Sequence, residues 1–303
     1  MSPIDALHFV RREIRDGRFR RAMALMAAFA AIVSGFEAYT QHRRGAFADP
    51  LMWTPVALMP PTAVGALAVV VSDRGTRLLL PAVSVASIAD GIIGFLLHLR
   101  GIRRMPGGFR LGQYNVVMGP PVFAPLLMSS VGVLGLFAAA LRPAVSDDDG
   151  STTAARTHDA GLVTRLAADI ADGRFQRGMA VTAASLAVLA GGEAYFEHLR
   201  GSFNDRLMWT PVWLTPPMVA AGIAAAASEE AARVVLPVVS LVTFGDGLAG
   251  FLLHLRGIRD MPGGFSNLGF NLTMGPPLFA PLLFSSVGLL GLLATLMRRG
   301  GRR

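Results

Sequence analysis

Apolar residues run along this chain in blocks too long and too uniform for helices that show one face to water. Segments 22–40, 51–72, 78–98 and 117–141 are nearly free of charge, and 178–196, 207–227, 233–254 and 273–297 follow in the same rhythm. Each is close to the roughly 20 residues an α-helix needs to cross a bilayer core of about 30 Å. Their apolar character extends all round instead of forming a single stripe, which predicts lipid or other helices on every side. Eight transmembrane helices are therefore expected. The first 21 residues are basic and carry no apolar run of signal-peptide length, so the first span is expected to serve as its own insertion signal.

The rhythm reflects a duplication. GFLLHLRGIR at 94–103 recurs letter for letter at 250–259, an offset of 156. The same offset turns EAYTQHRRGAFADPLMWTPV at 37–56 into EAYFEHLRGSFNDRLMWTPV at 193–212, and MGPPVFAPLLMSS at 118–130 into MGPPLFAPLLFSS at 274–286. A unit of about half the chain is far longer than a solenoid repeat and reads as two fused copies of one domain. The predicted fold is an all-α integral membrane protein of two tandem four-helix repeats, residues 1–141 and 159–303. RPAVSDDDGSTTAARTH at 142–158 reads as a polar, flexible linker. An even number of spans per copy gives both the same orientation, so the internal duplication is parallel, with a pseudo-two-fold axis along the membrane normal. Ahead of each first span, EIRDGRFRRAM at 13–23 and ADIADGRFQRGM at 168–179 predict a short amphipathic interfacial helix anchored by Arg and by Phe19 or Phe175.

Composition agrees with lipid as the solvent: 52% hydrophobic residues, 16% charged and a mean hydropathy of +0.50. The formal net charge of +8 would suit nucleic acid, but every basic residue is arginine and these cluster at span ends, where membrane anchoring accounts for them. No nucleic-acid partner is expected. With the N-terminus inside, 18 of the 28 arginines fall on the cytoplasmic side, so both termini are placed in the cytoplasm and the chain in a bacterial inner membrane. The absence of cysteine excludes disulfides, thiolate zinc, cysteine-ligated iron–sulfur clusters and c-type haem attachment. Phosphate-binding loops, nucleophile elbows and dinucleotide fingerprints are likewise missing.

Comparing the copies shows which polar positions resisted drift: Glu37/Glu193, Tyr39/Tyr195, His42/His198, Arg44/Arg200, Asp90/Asp246, His98/His254, Arg100/Arg256, Arg103/Arg259 and Asn115/Asn271. Glu37 and His42 end the first span, and Asp90 and His98 end the third. One polar cluster per copy is therefore predicted at the outer interface. Asp90, Gly94 and His98, at i, i+4 and i+8, share a helix face that drifts by only about 80°. Gly94 and Gly250 leave room there for another backbone or a flat ligand. A carboxylate within a span costs at least ~2.5 kcal/mol near the helix centre and is by default a functional candidate. The alternative is that Glu37 and Asp90 lock helices together through arginine or tyrosine.

Paired imidazoles on facing helices suit the axial positions of a haem iron, and Arg44, Arg100, Arg200 and Arg256 would stand where propionates need partners. The leading expectation is haem b between His42 and His98, and between His198 and His254, exchanging electrons with a quinone. A divalent metal held by these histidines with Glu37, Asp90, Glu193 and Asp246 is the variant reading. Pro60–Pro61 and Pro216–Pro217 supply a rival: they should break the second span of each copy, as in a proton-coupled transporter. A third reading is an assembly subunit that docks to other membrane subunits through its MPGGF loops, 105–109 and 261–265.

Overall fold

The computed structural model describes residues 18–71, 79–140 and 173–298. The predicted linker at 142–158 and the first five residues of each predicted amphipathic segment lie outside them. The described residues form helices and turns, without strands. In the first half these are α1 (Arg18–Arg44), α2 (Thr54–Val71), α3 (Leu79–Arg104), α4 (Gly112–Met118) and α5 (Ala124–Ala140). The second half follows with α6 (Arg174–Arg200), α7 (Thr210–Ala227), α8 (Leu236–Asp260), α9 (Leu268–Met274) and α10 (Ala280–Arg298). Short 3₁₀ turns precede α2, α4, α7 and α9, and a π-helical turn, Ala231–Val235, leads into α8.

Six helical stretches are long and apolar enough to cross a membrane: Arg20–Arg44, Pro50–Val71, Leu79–Arg104, Arg174–Arg200, Arg206–Ala227 and Ala231–Asp260. A helical membrane protein is the consequence. The last helix of each half, α5 or α10, is shorter, Ala124–Ala139 and Ala280–Leu296 in its apolar part. The segment expected to be one span, 117–141, divides into α4, a non-helical stretch Gly119–Phe123, and α5. Pro120 and Pro121 cause the division, because neither can donate a backbone N–H and each disfavours helix in the residue before it. Pro276 and Pro277 divide 273–297 in the same way.

The double prolines of the second span behave differently. Pro60 and Pro61 lie inside α2, and Pro216 and Pro217 inside α7, with helix continuing through both. The expected break is not formed: the prolines remove hydrogen-bond donors, but their fixed φ matches the helix. The N-terminal anchors also differ from expectation. The described parts of both amphipathic segments continue directly into 27-residue helices. Phe175 lies edge-on against Phe137 of α5, 5.4 Å between ring centroids, so part of its ring packs on the protein.

Each half closes as a ring of four helices. α1 packs on α2 and α5, and α3 packs on the same two, so α1 and α3 stand on opposite corners; α6 and α8 stand likewise between α7 and α10. With lipid outside, burial of apolar surface does little to drive helix association, and close packing of small residues takes over. The buried face of α1 is accordingly Met23, Ala27 and Ala31, and that of α6 is Met179, Ala183 and Ala187. Between α3 and α5 the approach is closer still. A Cβ on Gly91 would overlap the Pro125 carbonyl and Ser129, and one on Gly94 would meet the Pro125 ring at 3.0 Å. At Gly94 the space is taken by the ring of Pro125 on α5. The MPGGF loops fold back onto the short helices. Asn115 Nδ2 donates to the Pro106 and Gly108 carbonyls at 3.0 and 2.7 Å, and Asn271 Nδ2 to those of Pro262 and Gly264 at 3.2 and 2.8 Å. Retention of both asparagines is thereby explained by loop pinning.

Candidate functional site

The site begins where α1 ends. His42 lies in its last turn, and the loop after it reverses through Ala46 and Phe47, both left-handed at φ 55° and 48°. Phenylalanine rarely adopts that conformation, at a cost of about 1–3 kcal/mol, and such strain persists only where the surroundings impose it. Here the Phe47 ring stacks on Trp53 at 3.9 Å and 12° and stands edge-on to His42. Ser202 and Phe203 repeat the turn at φ 58° and 44°, with Phe203 stacked on Trp209. The reversal brings the Met52 carbonyl within 2.6 Å of His42 Nδ1 and the Met208 carbonyl within 2.6 Å of His198 Nδ1.

The second histidine comes from the opposite corner. His98 on α3 meets the Pro121 carbonyl through Nδ1, and His254 on α8 meets that of Pro277 at 2.6 Å. A carbonyl oxygen only accepts, so all four histidines donate from Nδ1, and in the neutral ring the lone pair is left on Nε2. The rings of His198 and His254 lie 6.5 Å apart between centroids, inclined at 71°. Asp90 sits beside the Thr54 hydroxyl and within electrostatic reach of His42, which in turn is within reach of His98. Asp246 stands beside Thr210 in the same manner. At each mouth the structure therefore gathers two histidines, one carboxylate and a threonine hydroxyl, walled by stacked aromatic rings.

The remaining predicted residues are placed elsewhere. Glu37, nine-tenths buried, accepts from the Phe279 N–H at 3.0 Å and from Gln41 Nε2 at 2.9 Å. Glu193, equally buried, accepts from the Phe123 N–H at 2.6 Å. Each carboxylate thus caps the N-terminus of the last helix of the other half, α10 or α5, where the helix dipole favours negative charge. Arg44 Nε and Nη2 donate to the Thr273 and Gly275 carbonyls at 3.0 and 2.8 Å, and Arg200 donates to those of Val117 and Gly119 at 2.7 and 2.6 Å. Arg200 also pairs with Glu197 at 3.1 Å. These four residues join the two halves. Arg100 and Arg256 are exposed at the ends of α3 and α8, the latter 3.5 Å from Asp260.

Among the described residues, no group of three or more His, Cys, Asp or Glu side chains is arranged to hold a metal ion. Of the residues in the mixed metal set, Glu37 and Glu193 turn to the other half of the chain, while Asp90 and Asp246 stand beside threonine. Sequence comparison missed Thr54 and Thr210, the Trp53–Phe47 and Trp209–Phe203 stacks, and the carbonyls that hold the histidines. The side chains among them are identical in both halves, a signal that was available. The chain matches no protein family, no curated relative and no solved structure.

Proposed function

We propose that this chain is a membrane electron carrier with one haem b at the mouth of each four-helix bundle, ligated by His42 and His98 and by His198 and His254. The supporting observation is the His198–His254 pair. An imidazole nitrogen lies about 2.0 Å from a bound metal and roughly 1.1 Å from its own ring centroid, so two imidazoles flanking one ion stand roughly 6 Å apart, close to the 6.5 Å found here. Their Nδ1 bonds to carbonyls are the outer-shell contacts that orient ligating histidines and raise their basicity. A haem iron takes two axial ligands from protein, which the histidine pair of each mouth would supply. In this reading the chain is an eight-span protein of two parallel four-helix repeats, both haems lie near the outer interface, and a quinone is the redox partner.

Purification in mild detergent, followed by oxidised and dithionite-reduced visible spectra and elemental analysis, tests the reading. A Soret band with reduced α and β bands at about two haems per chain is expected. A colourless protein without stoichiometric iron overturns it.

A further inference from the structure

The segments that carry the carbonyl partners of His98 and His254 are poor in bonds of their own. Gly119–Phe123 contains Pro120 and Pro121, which have no N–H to donate, and it lies between two helices without belonging to either. Its flanks are held by the other half of the chain. Arg200 Nε and Nη2 grip the Val117 and Gly119 carbonyls, and Glu193 takes the Phe123 N–H. The Pro121 carbonyl, which receives the His98 proton, sits between these anchors. Arg44 holds Thr273 and Gly275, Glu37 takes the Phe279 N–H, and the Pro277 carbonyl between them receives the proton of His254. Ring contacts reinforce both sides: Phe123 lies 6.2 Å from Phe196 of α6, and Phe279 lies edge-on to Phe36 of α1 at 5.3 Å and stacks on Phe251, one turn before His254, at 5.8 Å.

We infer that each histidine pair is positioned by side chains from the opposite half: Glu193 and Arg200 set the orientation of His98, and Glu37 and Arg44 set that of His254, through segments 117–123 and 273–279. Its consequence for cofactor binding rests on the bis-histidine reading; the positioning itself does not. The wiring crosses, because α6 supplies His198 to its own mouth and Glu193 and Arg200 to the other. Neither mouth is complete without the second half. Glu193 and Arg200 are positioning residues: they touch neither ring, and they act on the carbonyl that fixes one.

The test uses the full chain in lipid nanodiscs with ¹⁵N-labelled histidine, where the Nδ1-protonated tautomer gives separate protonated and bare nitrogen signals. His98→Asn and His254→Asn assign the two positions by loss of signal. Glu193→Ala is expected to shift or broaden the His98 signals and leave those of His254 in place, and Glu37→Ala to do the reverse. Glu193→Gln, which keeps an oxygen to accept from Phe123, should restore the His98 signals. Equal changes at both histidines, or changes only at the histidine of the mutated half, overturn the inference. If Glu193→Ala fails to insert, Arg200→Gln gives the same reading, since it loses the paired donation to Val117 and Gly119. In haem-loaded protein, Glu193→Ala should release haem from the His42–His98 mouth alone, lowering the content from about two per chain to about one. Protein that takes up no haem overturns the electron-carrier reading and leaves the tautomer measurement to decide the cross-positioning.

Discussion

The two nitrogens of each mouth histidine would have separate duties in the haem reading, Nδ1 donating to a carbonyl and Nε2 ligating the iron. Substitution can take these duties apart. Asparagine places its amide nitrogen where Nδ1 stands, so His98→Asn keeps a donor for the Pro121 carbonyl and removes Nε2. It should unfold near the wild-type temperature while binding one haem fewer per chain. His98→Ala should lose the same haem and about 1 kcal/mol more stability, the ordinary net contribution of a hydrogen bond. Thermal unfolding in detergent and haem quantification by pyridine adduct read both quantities, and a His98→Asn protein that retains two haems removes His98 from the ligand set. How far such residues could be read from sequence depended on what they bond. The four histidines were legible because both halves spell them and few others exist in the chain. The duty of Glu37 and Glu193 was not, because their main partners are backbone N–H groups 242 and 70 residues away, and a backbone amide leaves no letter in the sequence. Glu197 escaped because the other half has Gln41 at that position, although each bonds a side chain on its own helix.

Helices here are held apart or together by the side chains that glycine lacks. Two glycines should therefore respond oppositely to a methyl group or more. Gly91 faces the Pro125 carbonyl and Ser129 with no room for a Cβ, whereas a Cβ on Gly178 of α6 meets nothing within 4 Å. Gly91→Val forces α3 from α5 and should destabilise by about 1–3 kcal/mol, as overpacked interiors do, with the His98–Pro121 contact disturbed. Gly178→Ala should stabilise by roughly 0.5–1 kcal/mol, since a helical glycine gives up the most backbone freedom on folding. Denaturation of the two variants side by side checks the signs, and a destabilised Gly178→Ala protein would mean that α6 has a neighbour at that face. The same elements show why span positions were legible and span ends were not. Uniform apolarity places a helix in lipid whatever its details. Proline acts by context: Pro120–Pro121 ends α4, while Pro60–Pro61, whose fixed φ a helix can accept, leaves α2 unbroken.

Several independent contacts fix how the halves run relative to each other. Glu37 and Arg44, near the end of α1, reach the chain just before α10; Glu193 and Arg200, near the end of α6, reach the chain just before α5. His198 at the end of α6 stands beside His254 at the end of α8. The ends of α1, α6 and α8 and the starts of α5 and α10 therefore meet at one level, which requires α1 and α6 to run in the same direction. A chain without cysteine lets this be checked with single introduced thiols. Ala48→Cys, Phe109→Cys, Ser202→Cys and Phe265→Cys occupy exposed turns at that level, and Ser228→Cys an exposed turn at the other end of α7. If the opposite end lies in the cytoplasm, as the arginine bias predicts, an impermeant maleimide applied to intact cells should label the first four and reach Ser228→Cys only after permeabilisation. Labelling of Ser228→Cys alone would reverse the orientation and keep the parallel arrangement. Labelling of Ala48→Cys and Ser202→Cys from opposite sides would break the arrangement itself, because no carboxylate at the end of α1 could then cap α10 while one at the end of α6 capped α5.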